Sequence, residues 1–280
     1  MNKIALVLEG GGLRGIFTAG VIDCFIENEI DFDYVCGVSA GSCNTFAYVA
    51  KQKGFLKKCM MQQDKKNKFY GVRQMGESHH YVNLDKVFYD YTKQYDFNFK
   101  SFKNSKIDWE FVATNIKTGK PEYLHSNKIE EAKQMGVASC SLPILTEPVK
   151  LNGKLYLDGG MSDSVPIQRA LDKGYDHIVV VATRKKGSYS RVKKYEKPLY
   201  NHIYKKYPKF LKAVDARTKL YKDQISLCEK LEKQGKVILI RPTIKEIKRL
   251  ESDLNELNLS YYHGYTIAKE YIDKIKEWQN

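Results

Sequence analysis

The residues Ile4-Ala5-Leu6-Val7-Leu8 are apolar without a break, and Gly10, Gly11 and Gly12 follow one residue later. A strand with one wet face alternates polar and apolar residues. An unbroken apolar run suits a strand covered on both faces. After the glycines, Ile16, Phe17, Ala19, Ile22, Phe25 and Ile26 recur at helical spacing. Tyr34 to Val38 reads as a second strand, and Ala40 to about Lys53 as a second helix. Strand, helix, strand, helix implies parallel strands joined by crossover helices. The fold expected is α/β: a mostly parallel sheet flanked by helices in three layers, with a C-terminal helical extension.

Further elements fit this plan. Leu84 to about Tyr95 reads as a helix. Asp108 to Asn115 reads as a strand, Thr118-Gly119 as a turn, and Glu122-Tyr123-Leu124 as a return strand. Asn152-Gly153, between Val149/Leu151 and Leu155/Leu157, is a hairpin signal. A helix from about Val165 to Lys173 should stop at Gly174, before a buried strand from Ile178 to Ala182. Val237 to Ile240 reads as a last strand, and two helical stretches follow. Tyr261, Tyr265, Ala268, Ile272 and Ile275 make an apolar stripe on the second. We expect residues 1–183 to form the α/β domain and residues 184–280 a basic segment and helical extension packed on it.

With 280 residues, 42% hydrophobic and 29% charged, the chain is neither disordered, collagenous nor a disulfide miniprotein. Its net charge is +14. Residues 184–222 hold fourteen Lys and Arg against Glu196 and Asp215, nearly the whole excess. Such a segment is drawn to anionic surfaces. Leu199, Ile203, Tyr204, Tyr207, Phe210 and Leu211 fall near one face of a helix interrupted at Pro208, with Lys205, Lys206, Lys209 and Lys212 largely elsewhere. That pattern describes an interfacial segment contacting an anionic membrane, or else a solvated face packed on the sheet. No nucleic-acid motif accompanies the charge, so no specific nucleic acid is expected. The six cysteines show no C-x-x-C spacing and no histidine that would complete a zinc pattern; they read as reduced core residues. No apolar run approaches the ~20 residues that span a bilayer. The expected location is the cytoplasm, with any membrane contact peripheral, at the inner face.

Three short segments carry chemistry. Gly10-Gly11-Gly12-Leu13-Arg14-Gly15 joins the first strand to the first helix and matches G-x-G-x-x-G. Its amides, with the helix N-terminus, can hold a phosphate or a developing oxyanion. A dinucleotide site needs an acidic residue at the end of the second strand. Asp31 and Asp33 instead precede that strand. Gly37-Val38-Ser39-Ala40-Gly41 is G-x-S-x-G at a strand-to-helix junction, the setting of a nucleophile elbow; the alternative is a plain turn of small residues. Asp158-Gly159-Gly160 follows the hairpin strand and reads as a mobile carboxylate or an ordinary Asp-Gly turn.

In this order the three segments resemble the patatin-like phospholipases, over residues 4 to about 183. The run Met161-Ser162-Asp163-Ser164-Val165-Pro166 is similar to bacterial members. The resemblance implies a serine acyl hydrolase of lipid esters, of phospholipase A type. Ser39 would be the nucleophile and Asp158 the base, a dyad without histidine. The amides around Gly11 and Gly12 would hold the oxyanion, with Arg14 bracing the loop, and Gly10, Gly15, Gly37, Gly41, Gly159 and Gly160 would be motif glycines. No metal or organic cofactor is implied. A triad would instead draw on His177, His202 or His263, none of which lies in a motif. A general carboxylesterase or acyltransferase would use the same residues. A non-catalytic membrane- or nucleic-acid-binding module is the reading of a different class.

Overall fold

The computed structural model describes residues 3–62, 67–78, 80–189 and 196–279. Eight strands form one sheet: β1 (Ile4–Leu8), β2 (Tyr34–Val38), β3 (Asp108–Asn115), β4 (Pro121–Leu124), β5 (Val149–Leu151), β6 (Lys154–Asp158), β7 (His177–Val181) and β8 (Val237–Ile240). β3, β2, β1, β7 and β8 are parallel neighbours in that order. β4, β5 and β6 add antiparallel pairings at the β3 side. The expectation of an α/β fold with a mostly parallel sheet therefore holds, the antiparallel strands lying at one side.

Every residue of β1 and β2 is buried, as the unbroken apolar run requires. Side chains alternate across the sheet. Leu6, Leu8 and Val35 join a core with α1 (Gly15–Glu27), α2 (Ala40–Val49) and the C-terminal helices. Ala5, Val7, Tyr34 and Cys36 point the other way, onto Val165, Ile167 and the long helix Pro208–Lys233. These are the three layers. All six cysteines are buried and free.

The C-terminal segment is part of this packing. β8 pairs with β7, and the helix Leu254–Lys269 lies against α1 so closely that two glycines are required. A Cβ on Gly20 would sit 2.0 Å from the Tyr261 carbonyl oxygen, and one on Gly264 2.1 Å from that of Phe17.

Several local expectations change. The second helix ends at Val49, and a separate helix spans Phe55–Met60. The Leu84–Tyr95 stretch resolves into a wide turn, Lys86–Asp90, and a short helix, Tyr91–Gln94. The closing apolar stripe is split between Leu254–Lys269 and Ile272–Gln279. The chain breaks before Pro208, which starts a helix where a missing N–H costs nothing. In the stripe read as either membrane-facing or packed, Tyr204 and Phe210 are buried with Leu157, Met161 and Val214. Only Leu199 and Ile203 remain 45% exposed. Among the described residues, no helix is long and apolar enough to cross a membrane.

Candidate active site

Ser39 leaves the end of β2 with φ 54° and ψ −121°. A side-chain-bearing residue pays for a positive φ, so such a backbone persists only where its surroundings enforce it. The neighbouring glycines make the turn fit. A Cβ on Gly37 would lie 2.3 Å from the Gly41 carbonyl oxygen, and one on Gly41 2.2 Å from that of Leu8. A Cβ on Gly10 would meet Ser39 Cβ at 3.0 Å, and one on Gly15 would meet Ala40 Cβ at 2.8 Å.

The elbow is braced from the helix Ile129–Cys140. The Ser39 amide donates to Ser139 Oγ at 3.0 Å. Ser139 Oγ donates to the Val112 carbonyl at 2.6 Å and lies 2.7 Å from Ser42 Oγ.

Asp158 reaches Ser39 because two strands share one edge of β3. β4 occupies the other edge, along Phe111 to Thr114. On the shared edge β2 pairs as far as Val38 with Val112. β6, running the opposite way, ends there with Asp158 beside Ala113. β2 and β6 thus meet end to end, with Ser39 just beyond one tip and Asp158 at the other. The Asp158 amide donates to the Ser141 carbonyl at 2.7 Å, and the Thr114 hydroxyl donates to the Asp158 carbonyl at 2.9 Å. Gly159 has no room for a side chain, since its Cβ would lie 2.2 Å from the Val112 carbonyl oxygen.

The Asp158 carboxyl is buried. Oδ1 accepts the Gly160 amide at 2.8 Å, while Oδ2 takes no well-formed hydrogen bond among the described residues. Burial pushes the carboxyl above the usual aspartate range; the nearby Ser39 hydroxyl, the Arg217 charge and the Gly160 amide oppose this. A carboxylate so desolvated is a stronger base than one in water.

The glycine loop faces the same cleft, which Gly10, Gly11, Gly12, Arg14, Ser39 and Asp158 all line. Among the described residues, no hydrogen bond within the protein uses the Gly11 or Gly12 amide. Gly12 is left-handed at φ 60°, and its Cβ would lie 2.7 Å from Arg249 Cγ. The Leu13 amide donates to the Arg249 carbonyl at 2.8 Å, tying the loop to the C-terminal segment. The Arg14 side chain points into the cleft with Nε buried and without a partner.

Two compartments meet at Ser39. The polar cleft, about 380 Å³ counting its open mouth, is also lined by Arg184, Arg217, Tyr221 and Arg249. An apolar pocket, about 620 Å³ counting the space open to solvent, extends the other way, past Leu56, Met60, Val82, Leu84 and Val87. Gly12, Ser39 and Leu142 belong to both.

Among the described residues, no histidine lines either compartment. His177 begins β7 and stacks on Trp278 at 4.6 Å. His263 accepts the Thr243 amide at 3.1 Å, and His202 is exposed on the helix Lys197–Ile203. Sequence reasoning does not find Ser139, Arg184, Arg217, Tyr221 or Arg249. One signal was available: only three of the fourteen basic residues in 184–222 are arginines, and Arg184 and Arg217 are two of them.

Comparison with known proteins gives consistent matches. A family model described as patatin-like phospholipase matches residues 6–171. A domain of unknown function, DUF6363, matches residues 207–280. The chain is 32% identical to the uncharacterized protein YjjU of Escherichia coli K12 over 187 residues, 65% of this chain and 52% of that protein. It is 27% identical to the lysophospholipase nte1 of Aspergillus terreus over 297 residues, 98% of this chain but 18% of that protein. The chain thus spans about half or less of the length of these relatives. The crystal structure of VipD from Legionella pneumophila superimposes with a TM-score of 0.53 at 14% identity, covering 98% of this chain and 67% of that one. At that identity the likeness shows a shared fold.

Proposed function

The chain belongs to the patatin-like phospholipase family, and we propose that it hydrolyses acyl esters of lipids through Ser39 and Asp158. The observation that carries this reading is the end-to-end meeting of β2 and β6, which sets a strained serine beside a buried carboxylate with one free oxygen. In the first step Ser39 Oγ attacks the ester carbonyl and Asp158 takes its proton. The Gly11 and Gly12 amides donate to the oxygen that becomes negative. The intermediate then collapses, the ester C–O bond breaks, and Asp158 returns the proton to the leaving alcohol. Water repeats the cycle on the acyl-Ser39 ester and frees the fatty acid. The apolar cavity beside Ser39 takes the acyl chain. The catalytic unit on this reading spans residues 1–183, with residues 184–280 packed on it, and needs no cofactor. The similarity to a lysophospholipase supports a phospholipid substrate.

A fluorophosphonate probe tests the nucleophile. Labelling of the wild-type protein, with none of Ser39→Ala, is expected. Asp158→Asn should abolish hydrolysis in a folded protein, while His177→Ala, His202→Ala and His263→Ala keep most of it. Loss of activity in a folded histidine variant would replace the dyad by a triad.

A further inference from the structure

Four arginines converge on the polar cleft from four separate places in the chain. Arg14 comes from the glycine loop, Arg184 from the segment after β7, Arg217 from the helix Pro208–Lys233, and Arg249 from the segment before the helix Leu254–Lys269. Three of the four lie beyond the residues that match the patatin-like model, and Arg217 and Arg249 lie within 207–280.

Little in the protein balances these charges. Arg184 has Glu246 at 3.6 Å. Among the described residues, no ion pair is made by Arg14, Arg217 or Arg249. Arg14 is 8% exposed, and its Nε is enclosed without a hydrogen-bond partner, as is that of Arg217. The carboxylates in the cleft are Glu9 and Asp158. Glu9 accepts the Thr183 amide at 2.6 Å, and burial pushes its carboxyl upward, toward the neutral form. Burial, reinforced by repulsion from neighbouring arginines, pulls Arg14 and Arg217 down to about 10. Unpaired buried charges are costly to keep and concentrate where a ligand supplies the counter-charge.

The shape of the group selects the anion. Guanidinium groups present flat forks of donors that fit phosphate and carboxylate oxygens two at a time. A carboxylate can engage few such forks, whereas a phosphate offers several oxygens around one centre. The location selects its source. With an acyl chain in the apolar cavity and its ester carbonyl at Ser39, the remainder of the substrate enters the arginine-lined cleft, because Ser39 is common to both compartments.

We propose that Arg14, Arg184, Arg217 and Arg249 form a subsite for the phosphate of the substrate, and that the enzyme prefers acyl esters with a phosphate headgroup, above all an unsubstituted phosphomonoester, to neutral acylglycerols. The inference rests on the hydrolase reading above and adds the headgroup. It gives the C-terminal segment a role: Arg217 and Arg249 recognise what the catalytic residues cleave.

The test compares oleoyl lysophosphatidic acid with monooleoylglycerol, each in neutral detergent micelles, for the wild type, Arg217→Gln, Arg249→Gln and Arg217→Lys. The wild type should favour the phosphate ester by about tenfold or more in kcat/KM. Each glutamine variant should lower that ratio by roughly tenfold, mainly through KM for the phosphate ester, as expected for a lost charge-assisted contact. Arg217→Lys should recover part of the ratio, because it restores charge but not the fork. In parallel, calorimetry on the Ser39→Ala protein should show binding of glycerol 3-phosphate, weakened by the same substitutions. A wild-type ratio near one, or a ratio unchanged in both folded glutamine variants, overturns the proposal. Hydrolysis of both esters without preference sinks the subsite and leaves the hydrolase reading intact. Hydrolysis of neither, with glycerol 3-phosphate still bound, sinks the hydrolase reading instead. Binding of inorganic phosphate alone, without headgroup preference, would mean a free-phosphate site and also overturn the proposal.

Discussion

Replacing Ser139 by alanine isolates the support of Ser39 from Ser39 itself, the proposed nucleophile. The Ser139 hydroxyl is fully buried and joins the Ser39 amide at 3.0 Å to the Val112 carbonyl at 2.6 Å. Alanine at this position leaves a buried donor and a buried acceptor unmet. Leaving one such group unsatisfied costs about 1–3 kcal/mol. The Ser42 hydroxyl, 2.7 Å from Ser139 Oγ, keeps its bond to the Gly37 carbonyl, and a destabilisation of about 2 kcal/mol or more is expected from the two unmet groups. The strained backbone of Ser39 at φ 54° stores a similar amount, ~1–3 kcal/mol. Losing the brace therefore lets the Ser39 peptide relax and carries Oγ away from its attack position. A misplacement near 1 Å costs on the order of 100-fold in rate. Urea unfolding should show a lower midpoint at unchanged m-value. Turnover of a soluble short-chain ester should fall roughly 10- to 100-fold with KM nearly constant. Ser42→Ala, which keeps both Ser139 bonds, should slow turnover far less. If Ser139→Ala shifts stability by less than about 0.5 kcal/mol and retains turnover, the elbow is held by its glycines alone and the argument fails.

Three further outcomes follow from the site. Gly12→Ala puts a Cβ into a left-handed position 2.7 Å from Arg249 Cγ and its carbonyl oxygen, and on a soluble ester without phosphate should lower turnover by about 10²–10³ while binding of that ester changes little; unchanged turnover in a folded variant removes the loop from the mechanism. Burial raises the Asp158 pKa, so folding takes up a proton there, and stability falls as pH rises from the ordinary aspartate value through the raised one. Asp158→Asn should flatten this part of a thermal-unfolding series against pH, and the wild-type activity should rise with pH on an acid limb displaced upward from ordinary aspartate; a series parallel to wild type would refute the linkage. Replacing Lys205, Lys206, Lys209 and Lys212 by glutamine should weaken binding to anionic vesicles at low salt, because at 0.1 M charges more than ~10 Å apart are already largely screened; equal binding would assign these exposed lysines to solvation alone.

Local rules explain which parts of the molecule were legible. β3 runs over Asp108–Asn115 as read, because its alternation is bounded by the turn at Gly119, φ 66°. The Asn152-Gly153 hairpin forms with φ 47° and 77°, the left-handed pair a tight hairpin demands. The three motifs name Gly10, Gly11, Gly12, Arg14, Ser39, Asp158 and Gly160 among the residues that line the cleft. The helix Ile129–Cys140 was not legible. Its buried side is mostly small, Ala132, Gly136, Ala138 and Ser139, and gives little hydrophobic period. Gly136 reads as a helix breaker, but a Cβ there would lie 2.3 Å from the Phe88 ring, so the glycine is needed for packing. Ser139, which holds the elbow, was hidden with its helix. The arginines were hidden for a different reason. Net charge pools solvated lysines such as Lys205 with enclosed arginines such as Arg217, and only the folded approach of distant segments separates them.

The relative position of Ser39 and Asp158 depends on β3 more than on contact between them. The Val112 carbonyl receives the Ser139 hydroxyl that braces Ser39. The same oxygen is the atom that excludes a side chain from Gly159, immediately after Asp158. One point on β3 thus helps set the separation of Ser39 and Asp158. The G-x-S-x-G and D-G-G segments are then two tips abutting one rail, and their glycines are the residues that let both tips close on it. The oxyanion loop is held from elsewhere, by the Arg249 carbonyl on the Leu13 amide. The segment that clamps this loop also supplies Arg249 to the cleft. On the proposed reading, loop geometry and headgroup contact are coupled: a phosphate that draws the Arg249 side chain inward acts on the same residue whose carbonyl holds the Leu13 amide.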